Sequence, residues 1–232
     1  MGQAAELFEE SLTLSRELGD KQSIAASLDN LGWVATSQGD YGRAVELYEE
    51  ALTLDQELGN KRGIAFSLYG LGILAHQQGN YERAAELYEK GLALCRELGD
   101  KRGIMISLIN LGEVVCQQGD LGRAVELYEE GLTLEQELGH KEGMTYSLEG
   151  LAGLICANGQ PERAARLFGV AEAVREAISA PLPPVDRAEY ERNVTVVRAG
   201  LGKEAFETVW AEGRAMTLEQ AIAYALGKDV DG

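Results

Sequence analysis

Apolar and small residues recur at helical spacing along most of this sequence, between polar and charged positions. One stretch carries Leu28, Leu31, Gly32 and Ala35, and the next carries Ala44, Leu47, Tyr48 and Ala51. Neither stretch alternates with the two-residue period of a strand. The pattern therefore predicts successive amphipathic helices.

A longer unit made of two such stretches recurs about every 40 residues. The second stretch of the unit reads YGRAVELYEEALTLDQELGN from Tyr41, YERAAELYEKGLALCRELGD from Tyr81 and LGRAVELYEEGLTLEQELGH from Leu121. A divergent copy begins at Pro161 and a shorter one at Gln3, and the partner segments begin at Lys21, Lys61, Lys101 and Lys141. Each unit is predicted to be a pair of antiparallel helices.

The junctions between these segments carry helix stop and start residues. Gly39 suits the left-handed position that ends a helix, and the Asp40 carboxylate suits the N-cap of the next helix. The positions equivalent to Asp40 hold Asn80, Asp120 and Gln160. Pro161 is expected at a first helical position, where its missing N–H removes no intrahelical bond.

One helix pair is too small to bury its own apolar face, so the pairs are expected to stack on one another. Gly32, Gly72 and Gly112 would let helices approach closely, and Tyr48, Tyr88 and Tyr128 would fill the space between units. Each large side chain buried in this way stabilises the fold by about 1.5–3 kcal/mol.

The order leucine, glycine, small residue, alanine, aromatic, alanine resembles the tetratricopeptide-repeat signature, from residue 3 to about residue 178. The length of the unit is similar to that of the longer bacterial variety of this repeat. Two features differ from the family, because Leu28 replaces a common tryptophan and the usual closing proline is absent. The resemblance implies an all-α fold, a right-handed superhelical α-solenoid of stacked antiparallel helix pairs that serves as a protein-binding scaffold.

The repeat stops after Ala180 at the sequence Pro-Leu-Pro-Pro, which cannot continue a helix. We therefore predict a solenoid domain over 1–180, beginning with the second helix of a truncated repeat and continuing with four helix pairs, and a helical cap over 181–232. Helices are expected from about Arg187 to Ala199, Lys203 to Met216 and Leu218 to Leu226. Thr217 and Gln220 form a capping-box pattern before the last of these.

The last 70 or so residues also resemble the C-terminus of large ATP-binding bacterial regulators, including LuxR-type transcriptional regulators. The stretches RAARLFGVAEAVREAISAPLPPVDRAEYERNV and EAFETVWAEGRAMTLEQAIAYAL carry this resemblance. It implies a scaffold or sensor module of a cytoplasmic bacterial signalling or transcriptional regulator. Because residues 3–19 match only a second helix, we expect either a fragment of such a protein or an end that another molecule covers, including by self-association.

The composition of the chain limits the classes of molecule that it is expected to bind. The chain has 232 residues with 21 Lys+Arg and 38 Asp+Glu, a formal charge of −17, which disfavours direct binding to nucleic acid. No apolar run is long enough for a membrane helix and no leader pattern is present, so a cytoplasmic location is expected. Cys95, Cys116 and Cys156 are scattered, so we expect buried thiols that form neither a disulfide nor a metal site.

Catalytic chemistry finds little support. The two histidines, His76 and His140, lie near helix ends, and His140 occupies a helix-capping position. Motifs typical of zinc proteases, serine hydrolases and P-loop proteins are missing. The sequence GNKRG at 59–63 resembles a phosphate loop, but its recurrence at the helix junctions marks it as a turn. We predict a protein that is not an enzyme and needs no cofactor.

The family resemblance assigns the inner, concave wall to the first helix of each pair, where residues vary while the packing positions repeat. The candidate partner-binding residues are Asp29, Asn30, Trp33, Phe66, Tyr69, Ile73, His76, Ile109, Asn110, Glu113, Tyr146 and Glu149. Aromatic anchors beside carboxylates predict a protein or peptide segment of basic and apolar character.

Four alternatives stay open. Ile73, Ile109 and Phe66 could simply pack against neighbouring helices, or an intramolecular segment could fill the wall. The same surface, around Tyr69 and His76, could enclose a small effector molecule. The chain could also be a structural spacer that self-associates through its first helix.

Overall fold

The helix junctions form as their sequence predicts. In the computed structural model, which describes residues 2–227 apart from the side chains of residues 2, 3, 184–186 and 189, Gly39 takes the left-handed conformation with φ 78°. The Asp40 carboxylate accepts the Arg43 backbone N–H at 3.1 Å. Asn80 and Asp120 cap the following helices in the same way, and Pro161 occupies the first turn of its helix. Gln160, in contrast, makes no side-chain cap bond.

The chain divides into two compact units, and the first covers Met1–Gln118. Its described residues form α1 (Gly2–Leu18), α2 (Lys21–Gln38), α3 (Tyr41–Leu58), α4 (Lys61–Gln77), α5 (Tyr81–Leu98) and α6 (Lys101–Gln117). Each helix packs against the next, and α2 also contacts α4. The first helices of successive repeats are therefore neighbours in space.

Tyr48 lies at the centre of the first unit's core. Its ring is almost completely buried and lies between two glycines, because a Cβ at Gly32 would come within 2.9 Å of it and a Cβ at Gly70 within 2.4 Å. It belongs to one buried cluster with Leu12, Leu28, Leu31, Leu47 and Leu74. Glycine thus lets α2, α3 and α4 meet around one aromatic ring, as the repeat pattern predicts for Gly32 and Tyr48.

The second unit, Gly119–Gly232, contains α7 (Leu121–Leu138), α8 (Lys141–Ala157), α9 (Pro161–Ile178), α10 (Pro184–Leu201), α11 (Lys203–Arg214) and α12 (Leu218–Ala225). Helix α9 lies at its centre, in contact with α8, α10, α11 and α12. The capping box predicted for Thr217 and Gln220 is formed. The three C-terminal helices confirm the predicted elements, although α10 extends beyond its predicted range at both ends, and α11 and α12 end earlier than predicted.

Helices α9 and α11 approach each other closely because both carry glycine at the crossing. A Cβ at Gly169 would lie 2.5 Å from the Trp210 carbonyl oxygen, and one at Gly213 would lie 2.1 Å from the Arg166 carbonyl oxygen. Beside this crossing, the rings of Phe168 and Trp210 stack with centroids 6.4 Å apart. The contact is therefore made largely by backbone.

All regular structure within residues 2–227 is helical, which confirms the all-α prediction. Within the same residues no helix has the length and apolarity needed to cross a membrane. The predicted boundary between a solenoid at 1–180 and a cap at 181–232 stays a prediction, and its residues 228–232 lie outside the described part of the chain.

Candidate functional site

The predicted recognition residues of the first unit lie on α2, α4 and α6. Trp33 on α2 and Phe66 on α4 are 48% and 42% exposed, which is unusual for aromatic side chains of this size. Asn30 is exposed, and its side chain donates to the Ala26 carbonyl oxygen of its own helix at 2.7 Å. Two aromatic side chains are thus available on the predicted face.

Asp29 is not exposed. It is only 5% accessible, and its Oδ1 accepts a 2.7 Å hydrogen bond from the Ser67 hydroxyl on α4. The side chain therefore holds α2 against α4 beneath the surface. Any partner that uses Asp29 must reach it through an opening between these helices.

The predicted residues further along the first unit contact one another. Tyr69 is partly buried with its ring centroid 6.1 Å from that of Tyr88, and it is hydrogen bonded to Asn110. His76 Nε2 lies 3.8 Å from Glu113 Oε1. Ile73 and Ile109 are also partly buried.

In the second unit, Tyr146 and Glu149 on α8 both contact Arg175 on α9. The Arg175 guanidinium donates to the two Glu149 carboxylate oxygens at 2.9 and 2.8 Å, and it lies 4.7 Å from the centre of the Tyr146 ring. The side chains of the ion pair are 8% and 11% exposed. Both residues therefore join α8 to α9, a role that the sequence does not indicate.

Two neighbouring pockets open between the first helices of the first unit. The one we call the acidic pocket, of about 360 Å³, lies between α2 and α4 and is lined by Gln22, Ala26, Asp29, Asp55, Asn60, Arg62, Gly63 and Phe66. The apolar pocket, of about 270 Å³, lies between α4 and α6 and is lined by Arg62, Ala65, Phe66, Tyr69, Cys95, Leu98, Asp100, Arg102, Gly103, Ile106 and Ser107. Both include Arg62 and Phe66, so the pockets are adjacent.

The pockets are copies of each other. Each of the eight residues of the acidic pocket has its counterpart forty positions later in the apolar pocket. At the floor, Asp29 and Asp55 are replaced by Tyr69 and Cys95. The repeat therefore forms the same cavity twice, once lined by carboxylates and once by mainly apolar side chains.

Sequence reasoning missed Asp55, Cys95 and the glycines opposite them. Asp55 is 1% exposed on α3, and a Cβ at Gly63 would lie 1.9 Å from its Oδ2. The equivalent distance from Gly103 to Cys95 Sγ is 2.5 Å. The sequence does contain a signal for these residues. One position of the second helices differs in residue type between repeats, although the sequence around it is repeated. Its residues are Ser15, Asp55, Cys95, Glu135 and Arg175.

The two buried carboxyl groups of the acidic pocket disfavour each other's charge. Burial, the largest cause, and the nearby Asp55 carboxylate together raise the pKa of Asp29 to about 7, against the opposing effect of the Ser67 hydrogen bond. Burial also raises the pKa of Asp55, against the hydrogen bond from Asn60. The site therefore retains a proton more readily than an exposed aspartate does.

This raised pKa makes the stability of the first unit depend on pH. The contribution of protonated Asp29 is complete below its unfolded pKa near 4 and is lost as pH rises through about 7. We expect Asp29→Asn, which keeps an oxygen acceptor for Ser67, to gain stability over the wild type by about 1–3 kcal/mol between pH 5 and pH 8. Urea denaturation followed by Trp33 fluorescence measures this, and parallel pH curves for the two proteins would contradict it.

Among the residues considered for chemistry, His140 has a structural role. His140 Nδ1 accepts the Gly143 backbone N–H at 3.0 Å, so it caps α8 as predicted. Cys95 is buried as predicted, whereas Cys116 and Cys156 are partly exposed; none of the three forms a disulfide within the described residues. Burial raises the pKa of the Cys95 and Cys156 thiols, which makes them poorer nucleophiles.

Solved structures share this fold. The crystal structure of BtubC (BKLC) from P. vanneervenii superposes with a TM-score of 0.71 at 22% identity, over 100% of this chain and 94% of that one. A structure described as "Podosopora anserina putative kinesin light chain nearly identical TPR-like repeats" gives a TM-score of 0.60 at 22% identity, over 78% of this chain and 89% of that one. At this identity the likeness concerns the fold.

Among curated proteins, HTH-type transcriptional regulators of Mycobacterium bovis and Mycobacterium tuberculosis match part of the chain. The match is 39% identical over 59 residues, or 25% of this chain. It spans only 7% of the length of each regulator. The likeness of the C-terminal segment to LuxR-type regulators therefore stays a prediction.

The repeat itself is matched directly. The sequence profile described as "Tetratricopeptide repeat" fits residues 1–57, 38–97 and 63–137, which together cover more than half of the chain. The matched residues extend from α1 into α7, and they include Tyr48 and the glycines that pack against it. The chain belongs to the tetratricopeptide-repeat family, and its repeats imply a scaffold for protein–protein interaction.

Proposed function

We propose that the first unit binds an extended or helical segment of a partner protein along the face formed by α2, α4 and α6. The exposure of Phe66 at the boundary of two adjacent pockets is the observation that carries this proposal. Trp33 lies one helical turn from Asp29 on α2, so it extends the same face. Exposed aromatic side chains beside pockets are typical anchors for partner side chains.

Charge indicates the character of the partner. The chain carries a formal charge of −17, and two carboxylates lie in the acidic pocket. A segment with basic residues would be attracted to this surface, and apolar residues would fit the neighbouring pocket. Binding of such a segment should weaken with added salt, because salt screens the attraction between its basic residues and the net negative charge of the protein.

We further propose that the protein works within a cytoplasmic bacterial signalling or transcriptional regulator. The partial match to mycobacterial HTH-type regulators and the C-terminal sequence pattern support this assignment. In this arrangement residues 181–232 act as a cap. Contacts of α10, α11 and α12 with α9 support the capping role, because they cover a helix of the repeat pattern.

Selection of peptides from a displayed library of random dodecamers, followed by fluorescence anisotropy with the selected peptides, tests the binding face. We expect Trp33→Ala and Phe66→Ala each to weaken binding by about tenfold or more, because exposed aromatic anchors dominate such interfaces. Far-UV circular dichroism should stay unchanged, since both side chains are substantially exposed.

Tyr41→Ala is the matched control. Tyr41 is also exposed, but it lies at the start of α3, whereas Asp55 of the acidic pocket lies near the end of that helix. Its removal should leave the affinity unchanged. Equal affinities for all three variants and the wild type would exclude the α2–α4–α6 face.

A further inference from the structure

The acidic and apolar pockets share a constant frame. Asn60 and Asp100 cap the helices that begin beside the two pockets, with their Oδ1 atoms 3.4 and 3.1 Å from the Gly63 and Gly103 backbone nitrogens. Arg62 and Arg102 follow two residues after these caps. Differences between the pockets therefore come from the side chains at their floors and walls.

The floor of the acidic pocket has unsatisfied acceptor capacity. Oδ1 of Asp29 accepts from Ser67 and Oδ1 of Asp55 accepts from Asn60, each at 2.7 Å. Among the described residues, no hydrogen-bond donor reaches Oδ2 of either carboxylate. Both side chains are more than nine-tenths buried and line the cavity, so these oxygens are accessible to a donor that enters it.

Arg62 does not neutralise this floor. It is exposed and lines the edge that the two pockets share, and among the described residues it forms no ion pair with Asp29 or Asp55. A cation that enters from solvent would supply both the missing charge and the missing donors. Because a lysine or arginine side chain carries several N–H donors on a flexible stem, it matches two adjacent carboxylates.

The apolar pocket has the opposite character at equivalent positions. Tyr69 and Cys95 replace the two aspartates, and Phe66 and Ile106 stand where the acidic pocket has Ala26 and Phe66. Its one carboxylate, Asp100, accepts the Gly103 N–H in the helix cap. An aliphatic or aromatic side chain fits this lining better than a charged one.

We propose that the two pockets recognise a basic and an apolar side chain of one partner segment, with lysine or arginine in the acidic pocket and an aliphatic or aromatic residue in the apolar pocket. This inference rests on the proposed binding face. Neighbouring packed helices lie about 8–10 Å apart, and a polyproline-II segment advances about 3.1 Å per residue with three residues per turn. Two side chains three residues apart in such a segment therefore lie on one side, at about the spacing of the two pockets.

The floor residue is the determinant of this choice, and the glycine opposite makes room for it. Gly63, Gly103 and Gly143 face Asp55, Cys95 and Glu135, and a Cβ at each glycine would overlap the floor side chain. The first repeat has the smaller Ser15 at this register and Ser23 in place of glycine. Exchange of floor residues is therefore compatible with the frame.

Exchange of the floors tests the proposal. In Asp55→Cys the acidic pocket receives its neighbour's residue at one of the two floor positions, and in Cys95→Asp with Asp100→Asn the apolar pocket receives a carboxylate and the amide donor beside it. The probes are Nα-acetyl-lysine methylamide and its uncharged analogue Nα-acetyl-norleucine methylamide, titrated while backbone amide signals are followed by NMR. In the wild type, we expect the lysine probe to shift Gly63 and the norleucine probe to shift Gly103.

The Asp55→Cys variant should bind the lysine probe about tenfold more weakly, because one charge partner is lost. The double variant should gain a lysine-dependent shift at Gly103. Unchanged lysine binding in Asp55→Cys, or equal shifts of Gly63 by both probes, would overturn the proposal. Thermal denaturation of each variant identifies a loss that comes from unfolding.

Peptide selection separates this proposal from the binding face itself. Selection on the wild type should enrich lysine or arginine about three residues from an apolar residue. Selection on Asp55→Cys should lose the basic position. Peptides that depend on Trp33 and Phe66 but show no basic preference would exclude the pocket assignment and leave the binding face intact.

Discussion

We expect Gly213→Ala to lower the free energy of unfolding of the second unit by about 3 kcal/mol. The new Cβ would lie 2.1 Å from the Arg166 carbonyl oxygen and 2.8 Å from its Cα, and both are backbone atoms of α9. A helix backbone cannot rotate away as a flexible side chain can, so α11 must move off α9. Urea denaturation followed by Trp210 fluorescence, in a Trp33→Phe background, reports on this unit alone.

Gly200→Ala provides the comparison. Gly200 lies on α10, and its added Cβ would approach no atom closer than Pro161 Cβ at 3.5 Å, an ordinary contact. Alanine has the higher helix propensity, so this variant should be neutral or more stable by up to about 1 kcal/mol. If the two variants had the same stability, close packing of α9 and α11 would not account for the loss.

The second large effect is expected from Arg175→Met, at about 3–5 kcal/mol of lost stability. Arg175 and Glu149 form a bidentate pair whose side chains are almost completely buried. Removal of the guanidinium leaves the Glu149 carboxylate without its counter-charge and removes the contact with the Tyr146 ring. The same denaturation assay measures the change.

The double variant Glu149→Met with Arg175→Met should recover most of this loss, because it removes both desolvated charges and leaves apolar volume. Lys203→Met is the surface control, since Lys203 and Glu207 form an exposed pair 4.0 Å apart and should contribute under about 0.5 kcal/mol. Additive losses in the double variant would show that the pair is not coupled.

The local features of this fold could be predicted from sequence. The stop and start signals at Gly39 and Asp40 depend on neighbouring backbone groups, so the residues themselves are enough to recognise them. The tyrosine–glycine packing was also predictable, because the repeat shows which large residue accompanies which missing side chain. The helical and forty-residue periods of the sequence were therefore enough to predict the helices and their pairing.

Polar contacts between helices were not predictable. Asp29 was expected on the open face, but its partner Ser67 is 38 residues away and lies in an otherwise apolar stretch. Glu149 is predicted to contact a partner protein, and its pairing with Arg175 on the next helix could not be read from the sequence. Each of these contacts depends on how far one helix is rotated about its axis relative to the next. The 3.6-residue period of the sequence does not determine that rotation precisely enough to say which side chains meet.

The pockets were missed because they combine residues from both helices of a repeat. The predicted face was limited to first helices, whereas Asp55 and Cys95 come from second helices. The glycines opposite them stood in a motif that was interpreted only as a turn. Comparison of the same register across all copies would have revealed the changing floor.

Because equivalent positions of the two pockets lie forty residues apart, the residues that pack the helices can be distinguished from the residues that line the cavities. Tyr48 and its glycines hold the helices together, while different positions, among them Asp55, line the cavity. Duplication of a whole unit would thus copy the cavity together with its support. Later substitutions at one or two buried positions could then give each copy its own preference, so that the row of units acquires a combinatorial code.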